Sequence, residues 1–327
     1  MTDSPTTTTP TPAKSPFNDP RADIILRSSD KIDFATFKTI LSLSSPIFDD
    51  MFRLPQPSSD SGSQAEKDGV AVVEMTENGK ELEMLLRFCH PGERPPPESI
   101  EDATLAMAVA MKYQVDFMAA ASKKRLLELA VDEPARVFSI ACLYKAKDLA
   151  IDSAKLALNK SEATLFPNHP NSIPSEFSLI TARYIIHLLT YHRQCAAKMG
   201  SLTEAVINGI GQDWKPSCGH CGSRGVANPT FSLQHWPDFR ANIRSTLNLR
   251  PSSEALKELA RTGGYSGSLL CGYCSIRRMD PTAVELPRYC TQLSAHVDRL
   301  IAEVCHQLFL GGKVTYSGGQ VPLELDF

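Results

Sequence analysis

The chain has 327 residues, of which 42% are hydrophobic and 22% charged. That length fits two domains or one large one, and the composition excludes wholesale disorder. Lys and Arg number 34 against 37 Asp and Glu, for a net charge of -3. Such a balance argues against a globally basic nucleic-acid binder and is too mild for an acidic solvating chain.

The opening MTDSPTTTTPTPAKSP has no apolar core of the kind an export signal needs. Its Thr, Pro and Ser predict a disordered tail over 1–16 with nothing to bury. No stretch approaches the roughly 18 apolar residues of a membrane span, and Leu105 to Met111 is the best run. The nine cysteines are therefore expected inside the cell, in cytoplasm or nucleus, where disulfides are rare.

Ala22 to Leu26 predicts a strand, Ser28 to Lys31 a turn, and Ile32 to Phe34 a returning strand. Phe37, Ile40 and Leu41 fall at helical spacing. Pro46 opens a second helix with Ser45 as its N-cap, carrying Ile47, Phe48, Met51 and Phe52. Residues 55–69 read as a polar loop and Val70 to Met75 as a strand. A helix over 78–90 sets Leu82, Leu85, Leu86 and Cys89 on one face, and Pro91-Gly92 breaks it. Residues 99–210 are mostly helical around a Pro-rich loop at 165–176, without a fixed repeat. Within 211–280 lie both tryptophans, four closely spaced cysteines, and nine Lys and Arg against five Asp and Glu. A helix over 289–310 and a short, extended tail over 313–327 follow. The fold class is α+β, predominantly α-helical.

The string ADIILRSSDKIDFATFKTILSLSSPIFDDMF resembles the opening of a BTB/POZ domain. The family's Leu-x-x-x-Ser-x-x-Phe-x-x-Met-Phe words are Leu41, Ser45, Phe48, Met51 and Phe52. The order of elements is similar over 17–128, and the wording is nearest to BTB proteins common in fungi. The resemblance implies a small sheet flanked by helices, with Leu41, Phe48, Phe52, Leu85, Leu86 and Val109 in the core. It also implies an interaction module that forms homodimers and sometimes recruits cullin ubiquitin-ligase scaffolds. By the same resemblance Asp23 lies near the dimer centre, buried and hydrogen-bonded; read on its own, it is a solvated strand-start carboxylate. The family's first-helix His is Phe37 here, and its Tyr-Thr after the leucine helix is His90-Pro91. Before Asp19 only Phe17 offers an apolar anchor, which argues against a swapped N-terminal strand. Cullin adaptors often carry a hydrophobic-x-Glu word where this chain has Leu54-Pro55-Gln56, which argues against that role. Residues 129–212 loosely resemble the helical BACK-type extension.

Cys218-x-x-Cys221 and Cys271-x-x-Cys274 suit a tetrahedral zinc ion in a module over 213–280, ahead of a last helix and tail over 281–327. The 49 residues between the pairs are more than a compact zinc module carries. Four cysteines close the coordination shell, so the zinc is expected to be structural. The alternatives are a metal-free thiol cluster, a ligand set with His220 or His235, and a redox pair. Cys218-Gly219-His220-Cys221 has the wording of disulfide isomerases, but it lacks the strand before and the helix after. The basic surplus nearby reads as a solvated face, so nucleic acid is not the expected partner. Cys89, Cys142, Cys195, Cys290 and Cys305 read as core residues. His187 and His192, five apart, have poor ligand spacing, and Trp214 and Trp236 read as packing around the first cysteine pair. No nucleophile elbow, phosphate loop, dinucleotide fingerprint or zinc-protease motif is present, and the chain is expected not to be an enzyme. The expected function is BTB-mediated self-association or partner recruitment beside a structural zinc. A cullin adaptor and a nucleic-acid-binding transcriptional regulator are the alternatives.

Overall fold

Alternation of apolar residues in two short runs builds the frame of the first unit. The computed structural model describes residues 9–54, 66–92, 94, 96–166, 173–210, 236–262, 282–309, 315–316 and 319–320. These divide into two units, one ending at Leu129 and one beginning at Ala130.

The first unit holds β1 (Thr11–Pro12), β2 (Ile24–Arg27), β3 (Ile32–Thr36), α1 (Lys38–Ser44), α2 (Pro46–Arg53), β4 (Glu66–Lys67), β5 (Val70–Glu74), α3 (Gly79–Cys89), α4 (Ile100–Lys112) and α5 (Asp116–Leu129). The strand order is β1-β3-β2-β5-β4. β2 and β3 form an antiparallel hairpin. Lys31, at φ 66°, takes the left-handed conformation this turn requires. β2 and β5 are parallel, so the chain must cross over between them, and α1 and α2 lie in that connection. β4 and β5 pair around Asp68-Gly69, both left-handed at φ 55° and 79°, as a two-residue hairpin turn demands. The last part of the expected 55–69 loop is therefore strand, because Asp68-Gly69 folds Glu66–Lys67 back onto Val70; residues 55–65 lie outside the described ones.

Helix starts follow local chemistry. Ser45 Oγ accepts from Phe48 N at 3.2 Å, with Pro46 in the first turn of α2. Asn78 and Glu81 form a reciprocal capping box on α3. Ser99 accepts from Asp102 N and caps α4. Asp30, in the β2–β3 turn, accepts from Gly79 N at 2.8 Å and ties the hairpin to α3. These elements enclose Leu26, Leu41, Phe48, Leu82, Leu85, Leu86, Val109 and Met118. Phe52, one turn after Phe48 on the same face of α2, stacks on it at 6.0 Å and packs against the core only half-buried.

The N-terminal tail departs from expectation. Thr11–Pro12 pairs in parallel with Ile32–Asp33, and Ala13 and Phe17 are buried in the core. Two apolar anchors, Ala13 and Phe17, suffice to lay this polar stretch along the edge of β3. Residues 1–8 lie outside the described ones.

The second unit is a set of helices: α6 (Pro134–Leu143), α7 (Lys147–Ala157), α8 (Glu162–Leu165), a 3-10 turn (Ser175–Leu179), α9 (Ala182–Ile210), α10 (Trp236–Leu249), α11 (Ser253–Arg261) and α12 (Thr282–Phe309). A two-stranded hairpin, β6 (Thr315–Tyr316) and β7 (Gly319–Gln320), follows. α6 and α7 are joined by only three residues. They bury Ala135, Val137, Ile140, Ala141, Ala150 and Ala154, small and branched side chains that allow close packing. Arg136 bonds Glu176 at 2.7 Å and holds the 3-10 turn to α6. Among the described residues no helix is long and apolar enough to cross a membrane.

Ser45 Oγ also donates to Tyr113 O at 2.5 Å inside the core. Ser45→Ala removes the cap of α2 and leaves that carbonyl unpaired. It should cost about 2 kcal/mol, read as a lower urea midpoint with an unchanged slope.

Candidate interaction surface

α1 begins after Phe37, which supplies no side-chain cap of its own. The cap comes from the sheet: Asp23 Oδ1 accepts from Lys38 N at 2.8 Å. A carboxylate at the positive end of a helix dipole is a favourable contact. Asp23 is hydrogen-bonded to Lys38 N, and in the single chain it is exposed. The same helix carries Leu43, which is 85% exposed, and Leu54 just beyond α2 is 65% exposed.

Behind this surface the polar groups are mutually satisfied. Glu77 is buried, and its carboxylate accepts from Tyr113 OH at 2.5 Å, from Lys112 Nζ and from Thr76 Oγ1. Burial pushes the Glu77 carboxyl up, but hydrogen bonds from Lys112 and Tyr113 outweigh it and hold it below the ordinary carboxylate range. Burial, reinforced by the Glu77 carboxylate, pushes the Tyr113 phenol far up. Asp33 is buried too. Arg27 donates to both of its oxygens at 2.6 and 3.1 Å, and Lys67 donates at 2.8 Å. Burial pushes Asp33 up and these cations more than offset it. Both carboxylates are fixed, charged and fully engaged, which suits framework rather than acid–base chemistry.

The two positions that depart from the family pattern face one another. His90 lies 6.3 Å from Phe37, edge-on to Phe17 at 5.3 Å, with Nε2 3.0 Å from Thr36 Oγ1. Burial lowers the His90 pKa. A cleft of about 250 Å³ lies between α3, the start of α4 and Pro96-Pro97, and Lys80, Met84, Phe88 and Arg94 line it. Its cations are engaged: Lys80 pairs with Asp102 at 2.6 Å, and Arg94 sits over the Phe117 ring at 5.3 Å.

Cys218, Cys221, Cys271 and Cys274, with His220, His235 and Trp214, lie outside the described residues. Cys89, Cys142, Cys195, Cys290 and Cys305 are buried free thiols. Burial pushes Cys89 and Cys290 up to about 11 and Cys142 and Cys195 up to about 12, which makes them inert core residues. No three His, Cys, Asp or Glu side chains gather as a metal site among the described residues.

His187 and His192 also part company. His192 Nε2 lies 3.0 Å from Lys160 O. His187 is fully buried, edge-on to Phe309 at 4.9 Å. Among the described residues, neither of its ring nitrogens, nor the hydroxyl of Tyr191 one turn on, finds a well-formed hydrogen-bond partner. Sequence spacing could not reveal this, because an apolar face and a ligand face look alike until the partner helix is placed. Burial pushes the His187 pKa from 6.5 down to about 4. The folded state therefore refuses a proton that the unfolded chain accepts near pH 6.5. Its contribution is fully present above that pH and is lost as pH falls toward 4, by about 3 kcal/mol in all. Urea midpoints taken from pH 7 to 4.5 should fall steeply in the native chain and more gently in His187→Leu.

Among known proteins, residues 16–129 match the family model described as BTB/POZ domain. No curated protein matches the chain. The matched stretch covers β2 to β5 and all of α1 to α5. Residues 16–129 of this chain are therefore a BTB/POZ domain, a protein–protein interaction module.

Proposed function

We propose that this chain is a non-enzymatic interaction protein of the cell interior whose BTB/POZ domain pairs with a second copy of itself through the α1 side. The observation that carries this is Leu43, 85% exposed on a helix whose start is held by Asp23. A single copy leaves that leucine in water, and a two-fold contact would place the same face on itself, as isologous dimers do. Asp23 would then be desolvated with its hydrogen bond to Lys38 N already made, which lowers the cost of burying it. Light scattering on eluting protein at tens of micromolar should give the mass of two chains. Leu43→Asp should shift it to one chain, with the circular dichroism spectrum unchanged. A monomer at every concentration, or a dimer indifferent to that substitution, would contradict the proposal.

Cys218, Cys221, Cys271 and Cys274 form, in this proposal, a closed structural zinc site. Two Cys-x-x-Cys pairs supply four thiolates of the type that holds zinc tetrahedrally. Zinc there would clamp two segments 49 residues apart and contribute to folding of the C-terminal part. Elemental analysis of protein purified without added metal should find one zinc per chain, absent from Cys271→Ser. Metal-free, fully reduced native protein would rule this site out.

A further inference from the structure

The outer edge of β3 is not free. Residues 11–17 of the same chain lie along it. Thr11 N donates to Lys31 O at 2.9 Å and Ala13 N to Asp33 O at 2.8 Å, and Phe17 O accepts from Ala35 N at 2.9 Å. Thr11, Pro12, Lys14, Ser15 and Pro16 face solvent, and only Ala13 and Phe17 are buried. Phe17 meets Phe34 at 5.9 Å and the edge of His90 at 5.3 Å. Pro12 and Pro16 have no N–H to give. The segment is thus a strap held by few main-chain bonds and two side chains, over a strand whose other edge is fully paired with β2.

We propose that the β3 edge and the Phe17 pocket are an acceptor site for an extended peptide, occupied in the resting chain by its own strap. The strap is the template for the ligand. A fitting peptide runs parallel to β3, places a small residue whose N–H donates to Asp33 O, as Ala13 does, and places an aromatic residue four positions later against Phe34 and His90. Main-chain bonding to a sheet edge supplies affinity largely independent of sequence, while the aromatic pocket supplies selection. An intramolecular strap competes at high effective concentration, so it gates the site rather than merely filling it. Phe17 is the latch, being the one large side chain in the contact.

The test uses the full chain and a labelled peptide, TPTPAKSPFN, the sequence of residues 9–18. Phe17→Ala in the chain should release the strap and raise peptide affinity by about ten-fold or more over wild type. A peptide carrying the same Phe17→Ala change should bind neither chain. Equal affinity of both chains for the native peptide, or none in a folded variant, would overturn the proposal. A second measurement needs no variant. In wild-type protein the Ala35 amide, bonded to Phe17 O, should exchange about ten-fold or more faster than the Leu26 amide of β2, reporting strap opening without unfolding. Equal rates would make the strap a fixed part of the core and overturn the proposal. Ala35 exchange that slows as protein concentration rises would show the strap traded between copies, and would also overturn it.

Discussion

Tyr113 is the point at which the BTB/POZ domain is closed. Its main-chain oxygen accepts from Ser45 Oγ at 2.5 Å, its hydroxyl donates to Glu77 at 2.5 Å, and its ring stacks on Phe48 at 4.9 Å. Those three partners belong to the start of α2, the segment between β5 and α3, and the core face of α2. Their separations of 68, 36 and 65 residues span most of the domain. A buried polar group of this kind is costly if any partner is missing and rigid when all are present. Here all are present, so helices, sheet and crossover are fixed in one arrangement.

The sheet is secured in the same manner at its other side. Asp33 on β3, Arg27 on β2 and Lys67 on β4 form one network across three strands, with Glu74 of β5 adding bonds to Arg27 and Lys31. A buried bidentate pair is more specifying than stabilising, and its use here is register: a one-residue slip would carry Asp33 to the opposite face. Core and register are thus both fixed from within. Buried thiols and fully engaged carboxylates agree with an architecture built to hold shape.

Much of this was legible in the sequence, for physical reasons. Ser45-Pro46 marks a helix start because a hydroxyl and a ring that lacks an N–H suit that position and few others. The spacing of Leu82, Leu85, Leu86 and Cys89 fixes the buried face of α3. Asp23 stood out only through a family resemblance, and its bond to Lys38 is a contact between elements that no local pattern encodes. The Glu77–Tyr113 pair was missed for the same reason: a Glu and a Tyr 36 residues apart carry no signal until α4 is laid against β5. The strap was misread as tail because two anchors, Ala13 and Phe17, are too few to produce a period. The contact between Phe37 and His90 likewise joins residues far apart in sequence that no local pattern links.

The interior of the domain is locked by buried, mutually satisfied polar groups. The lock rests on Tyr113 and Glu77 acting together rather than separately. A double-mutant cycle on Tyr113→Phe and Glu77→Gln, read by urea denaturation of the full chain, addresses this directly. Each single change should be destabilising, and the double change should cost less than their sum by about 1–3 kcal/mol. Strict additivity, with coupling below about 0.3 kcal/mol, would mean that the two residues do not act as one unit and that the domain is closed elsewhere.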